Sequence, residues 1–269
     1  MKRAVSVSPL FRAWLAVEVL FGVAALLSVA RAPADTATNF AWPIRPTVMA
    51  ATLGAFYLSL SPVLVLVLMA RRWSMIRVIV IPGLVFTTAE LVATILHWDK
   101  FSVGTLPFDV WLASYILPPP IYLAGYLWHQ RRGGVPPVEA PLPRPFRLLV
   151  IVLGTFLTLD AAIGFVHPRY FMGSFPWDLT PLTTRALCGW LLVLGTVLLS
   201  IGRENDRDRV RLASPLLILL LPALALQVSR YSGEVDASNP RFWTSVVLLA
   251  LVAACGLYLA RGSWRASLR

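Results

Sequence analysis

Residues 48–70 read VMAATLGAFYLSLSPVLVLVLMA, and no position among them is charged. A helix of that length rises about 35 Å, enough to cross the roughly 30 Å hydrocarbon core of a bilayer. Arg71 and Arg72 follow at once, where a span would leave the lipid. The apolar character is continuous and does not alternate, which selects a helix over a barrel strand as the way to satisfy every backbone N–H and C=O inside lipid.

Runs of the same kind lie near 10–30, 76–97, 109–129, 147–167, 183–202, 211–230 and 241–261. With 48–70 they predict an all-α polytopic transmembrane bundle of eight spans. Composition agrees: of 269 residues, 58% are hydrophobic and 14% charged, against about 25% charged in a soluble globule. The soluble classes are excluded on that ground.

The net charge of +11 raises the question of nucleic acid. The basic residues, however, sit in short connections between apolar runs and not along an aromatic-studded groove, so no nucleic-acid partner is expected. Seventeen of the 24 Lys and Arg residues fall on one side of the predicted bundle, including Arg71, Arg72, Arg77, Arg131, Arg132 and Arg207. That bias places both termini in the cytoplasm and the chain in the plasma (inner) membrane as a multi-pass protein. The same loops attract anionic headgroups, which makes membrane lipid the first expected partner. The first span has a basic start and an Ala30-Arg31-Ala32 segment like a cleavage site. Its apolar run exceeds the 7–15 residues of a signal peptide, so it is expected to be retained.

A shift of 135 residues aligns Phe11 with Phe146, Arg12 with Arg147, Phe21 with Phe156, Pro33 with Pro168 and Gly54 with Gly189. Residues 11–54 contain ten such identities without a gap. They predict a 4+4 parallel internal repeat, with halves 1–134 and 135–269 inserted the same way up. The joint is the stretch 131–145, whose prolines 136, 137, 141, 143 and 145 predict a stiff, extended cytoplasmic linker.

The clearest shared unit is Phe-x-Trp-x-x-x-Pro, at Phe40, Trp42 and Pro46 and again at Phe175, Trp177 and Pro181. Both copies fall on the outer side just before a span. An interfacial aromatic anchor is the first reading, and a lid over an external cavity the sharper one. Together with Gly54, Tyr57 and the segment Thr94-x-x-His97-x-x-x-Phe101, the first unit resembles uncharacterised bacterial (actinobacterial-type) multi-span membrane proteins with an FxWxxxP outer-loop segment. The resemblance covers about the first hundred residues, and Tyr57 becomes Leu192 in the second half. It implies the membrane class and no chemistry.

A charge at the bilayer centre costs about 2.5–3.5 kcal/mol on insertion scales, so acids within spans are functional candidates. Glu18 lies near a predicted cytoplasmic end and reads as a snorkelling or paired residue. Glu90 and Asp160 lie deeper. Glu90, Thr94 and His97 share one helix face, as do Asp160, Gly164 and His167. If their spans approach, the two faces line one hydrated path. Arg185, just inside the sixth predicted span, reads first as snorkelling outward and second as a partner for Asp160 or for an anionic substrate. His129, beside Arg131, reads as an interfacial imidazole. Pro118-Pro119-Pro120 removes three donors and must break or bend the fourth span.

Zinc needs three or four convergent ligands, and the histidines show no tight spacing, so neither metal nor other cofactor is expected. Phosphate-binding, dinucleotide, H-E-x-x-H and C-x-x-C motifs are missing from the sequence. Three functions remain. The first is transport or lipid handling through an outward-facing cavity, with Glu90, Asp160, His97, His167 and Arg185 as substrate or proton-coupling groups. The second is a structural or assembly subunit with a membrane-protein partner. The third, placed last for want of a nucleophile and base, is an outer-face lipid-modifying enzyme.

Overall fold

The computed structural model describes residues 5–133 and 137–261. Nine principal helices run through the described residues in this order: α1 (Pro9–Arg31), α2 (Thr47–Met69), α3 (Trp73–Leu96), α4 (Leu106–Ile116), α5 (Pro118–Gly133), α6 (Arg144–Val166), α7 (Pro181–Glu204), α8 (Arg207–Ser229) and α9 (Pro240–Ala260). Seven of them, all but α4 and α5, are long and apolar enough to cross a membrane. The chain is therefore a multi-pass α-helical membrane protein.

The stretch 109–129, expected to be one crossing, is divided. Leu117 separates the 11 residues of α4 from the 16 of α5. Pro118, Pro119 and Pro120 have no N–H to return to the carbonyls of Ser114, Tyr115 and Ile116, so the ladder ends there. Several other helices begin where the sequence offers a cap. Ser8 Oγ accepts from Phe11 N ahead of Pro9, and Thr180 and Thr183 cap each other reciprocally ahead of Pro181. Asn239 accepts from Arg241 N ahead of Pro240.

Helix α7 is the centre of the bundle. It packs on α6 along one side and on α3 along the other, while α2 packs on α1 and on α8, and α8 packs on α9. Glycines set the closest of these contacts. A Cβ on Gly54 would lie 2.5 Å from Ala30 Cα, and one on Gly154 would lie 2.9 Å from Gly195 O. Small residues let backbones meet at that distance, which is how helices gain packing energy in lipid.

The loops gather into two rims. One, the aromatic rim, ties Ser102 N to Ala41 O, Asp236 N to Pro176 O and Asn239 Nδ2 to Phe175 O. The other, the arginine rim, ties Trp73 N to Val5 O and Arg207 N to Ala140 O. Asp206 also accepts from Glu139 N at 2.8 Å, so the described part of the linker is anchored to the start of α8. Linker residues 134–136 and the terminal basic residues Lys2, Arg3, Arg265 and Arg269 lie outside the described residues. Instead of facing an interface, His129 is fully buried, stacked on Trp73 at 4.3 Å, and accepts from Ser8 N through Nε2.

Candidate functional site

The larger of two cavities, about 1040 Å³, is a half-open cleft between α6 and α9 backed by α7, α8 and the outer part of α2. Its walls are apolar, with Phe156 and Leu157 opposite Leu248 and Leu249, and Leu187, Leu191 and Leu194 behind. The two flanking helices are bridged at both ends. At the arginine rim Phe146 and Tyr258 bring their rings to 4.3 Å. At the aromatic rim Arg241 meets Asp160.

That upper bridge is the cleft's polar end. Arg241 Nη2 lies 3.4 Å from both Asp160 oxygens, Nη1 donates to Ser174 Oγ at 2.5 Å, and the guanidinium sits 3.9 Å from the centre of the Phe171 ring. The Tyr170 hydroxyl donates to Asp160 Oδ1 at 3.0 Å. A single turn of helix, Arg169–Met172, delivers Tyr170 and Phe171, and Asn239 and Pro240 start α9 so that Arg241 points across the gap. Ligand pockets of about 300–1,000 Å³ with apolar walls and a few placed polar groups are the usual form of a small-molecule site. This cleft has that form at the upper end of the size range.

A second cavity, about 270 Å³, lies between α1, α3 and α4. Tyr57, Tyr115 and Tyr122 line it together with Glu18, whose Oε1 has no hydrogen-bond partner. Glu18 thus faces an internal space and not the interface expected for it. The Tyr57 and Tyr115 hydroxyls are 2.7 Å apart.

Glu90 and Asp160 do not share a path. Asp160 lines the large cleft, whereas Glu90 is 1% exposed, lines neither cavity, and has no hydrogen-bond partner at either carboxyl oxygen. It packs against Gly189 of α7, where an added Cβ would fall 2.2 Å from Glu90 Oε1. Helix α7 stands between α3 and α6 and so keeps the two acids apart. Thr94, on the same face as Glu90, accepts from Trp111 Nε1 at 2.9 Å.

Arg185 is not the partner of Asp160. Its Nη1 donates to His97 Nε2 at 2.6 Å, and its Nε donates to Phe165 O at 3.1 Å. His97, at the end of α3, is half-buried. Burial holds its pKa below the ordinary imidazole value of 6.5, with Arg185 and Lys100 adding to the effect and Asp99 opposing it. Below pH 6.5 the unfolded chain takes up a proton that the native one resists, so the folded state loses stability as pH falls through that window. The melting temperature in detergent is expected to be lower at pH 5 than at pH 7.5, and His97→Gln, which keeps an acceptor for Arg185, is expected to shrink that difference. An equal pH dependence in the variant would remove His97 as its source. His167 is exposed at the end of α6. Among the described residues no three of His, Cys, Asp and Glu converge as metal ligands.

The two Phe-x-Trp-x-x-x-Pro units turn inward. Trp42 is 2% exposed and packs against Phe40, Phe101 and Trp111 at 4.7–5.0 Å, so it does not present its ring to headgroups as an anchor would. Phe40 lines the smaller cavity; Phe175 and Trp177, half-buried, line the larger. Pro46 and Pro181 stand at the starts of α2 and α7. The sequence marked Asp160 but not Arg241, Tyr170 or Ser174. Arg241 lies 81 positions away and reads in the sequence only as one of the seven basic residues on the less basic side of the bundle.

Comparison with protein families, with curated proteins and with solved structures found no match.

Proposed function

We propose that this protein binds a lipid-like amphiphile in the α6–α9 cleft and handles or transports it. The observation that carries this is the cleft itself: an apolar space of about 1040 Å³ with an ion pair, Asp160–Arg241, at its aromatic-rim end. A soluble polar substrate would find few partners along these walls. An acyl chain loses nothing by entering them from lipid, so the polar end is left to decide what stays.

The reading includes two four-crossing halves, with α4 and α5 together making the fourth crossing and the arginine rim facing the cytoplasm of a plasma membrane. The excess of Lys and Arg on that rim supports the orientation. Support for the repeat comes from the helices. The shift of 135 carries Pro9–Arg31 onto Arg144–Val166, and it brings the ends of α2 and α3 within two residues of those of α7 and α8. Contacts between the halves exchange in the same way, since α2 packs on α8 as α7 packs on α3. The cavities also correspond. Phe21, Ala25, Phe40 and Leu106 line the smaller one, and the positions 135 later, Phe156, Asp160, Phe175 and Arg241, line the larger.

The test is lipid transfer between proteoliposomes, together with the lipid retained on purification. Ala225 lines the cleft wall and is exposed to it. Ala225→Trp is expected to leave the melting temperature near that of wild type and to reduce retention and transfer about tenfold, a loss of roughly 1.4 kcal/mol in binding. Unchanged transfer in that variant, or no lipid retained by the wild-type protein, refutes the reading.

A further inference from the structure

We infer that the Asp160–Arg241 pair is a headgroup site for a lipid bearing a primary amine and a phosphate, with Arg241 taking the phosphate and Asp160 the ammonium. This rests on the cleft holding an amphiphile, as proposed above.

The first argument is that the fold does not require the pair. At the positions 135 earlier stand Ala25 and Leu106, two uncharged residues that line the smaller cavity, and the first half packs its helices in the same order. An ion pair that scaffolding does not need, placed at the mouth of the larger cavity, points to a ligand.

The second is geometry. Both Asp160 oxygens are 3.4 Å from Arg241 Nη2, well beyond the roughly 2.7–2.9 Å of a tight charge-assisted bond. The two side chains remain about one-fifth exposed, 18% and 20%. Each is nonetheless held from outside the pair, Arg241 by Ser174 and the Phe171 face, Asp160 by the Tyr170 hydroxyl. Two opposite charges, fixed separately and loosely joined, match a ligand that carries both signs.

The third is charge complementarity. A purely anionic headgroup on Arg241 would bring its charge against Asp160, and a cationic amphiphile would do the same to Arg241. A zwitterion meets both. A primary ammonium donates hydrogen bonds to the carboxylate, whereas a quaternary choline group has no N–H to donate.

The fourth is depth. Asp160 lies six residues from the end of α6 and Arg241 is the second residue of α9, so the pair sits within about 9 Å of the helix ends, just below headgroup level. From Arg241 to Val252, both of which line the cleft, α9 rises about 16 Å, close to half of the roughly 30 Å hydrocarbon core. The cleft thus accommodates chain within one leaflet below a headgroup at its rim.

The experiment is native mass spectrometry of the full-length protein with equimolar phosphatidylethanolamine, phosphatidylcholine and phosphatidylglycerol of matched chains. The wild type is expected to retain phosphatidylethanolamine over the other two by about tenfold or more, as a lost charge-assisted bond of roughly 1.5–3 kcal/mol requires. Asp160→Asn is expected to move the preference to phosphatidylglycerol, and Arg241→Gln to lower retention of all three lipids severalfold, since each presents a phosphate. If Asp160→Asn does not fold, Tyr170→Phe, which frees Asp160 on one side, should lower the preference severalfold. Excess glycerophosphoethanolamine, the same headgroup without chains, is expected not to displace the lipid; its displacement at comparable concentration overturns the lipid source. Retention that falls with Ala225→Trp but ignores headgroup chemistry overturns this inference and leaves the cleft reading intact. Retention indifferent to Ala225→Trp removes both.

Discussion

Arg77→Met is expected to lower the apparent melting temperature in detergent by roughly 10 °C, and adding Glu204→Met is expected to restore most of the loss. Arg77 Nε lies 2.6 Å from Glu204 Oε1, with both side chains 5% exposed, and the pair joins the first turns of α3 to the last residue of α7. Removing one member of a buried ion pair leaves the other charge without its counterion, at about 3–5 kcal/mol. For a chain of this length each kcal/mol moves the midpoint by about 2–4 °C. Replacing both members by apolar groups of similar size is commonly neutral or stabilising. The asymmetry between the single and double substitutions is therefore the signature. Equal melting temperatures for wild type and both variants would mean the pair carries no net weight in the bundle.

That pair also marks where a sequence stops being informative. The apolar runs located seven of the crossings, because length and continuity in lipid leave a backbone no alternative to a helix. Arg77 was legible only as one of the basic residues that set orientation, and Glu204 fell just past the end of a predicted span. What joins them is the packing of α3 on α7, a contact between residues 127 positions apart that periodicity does not encode. Similarly, Arg185 and His97 lie 88 positions apart. Trp42 has the composition of a headgroup anchor, and only the neighbouring rings of Phe101 and Trp111 turn it into a core residue. The proline run at 118–120 was the opposite case: a local steric rule was enough to place a break, and the break is where the rule put it. The alignment at a shift of 135 is a further sequence-level signal, and its use lies in the mismatches it exposes, since it sets Ala25 and Leu106 against Asp160 and Arg241.

Glu90→Met is expected to raise the melting temperature by roughly 2–6 °C while lowering any measured lipid transfer. A buried polar group without a hydrogen-bond partner costs about 1–3 kcal/mol, and methionine fills nearly the same volume without that cost. Neither Glu90 oxygen has a partner, and the side chain is 1% exposed in the seam between α3 and α7. Stability alone would favour an apolar residue there, so a carboxyl within the span points to a use that stability does not measure. Gly189 provides a second handle. A methyl group at that position would fall 2.2 Å from Glu90 Oε1, so Gly189→Ala alone is expected to destabilise. In a Glu90→Ala background the same methyl has room, and the two effects should be strongly non-additive, as they are for residues that share one space. A stabilised Glu90→Met protein with undiminished transfer would reduce this carboxyl to a packing defect. A destabilised one would show that it has found a partner, such as a bound water or proton-carrying group, that the seam between α3 and α7 is built to hold.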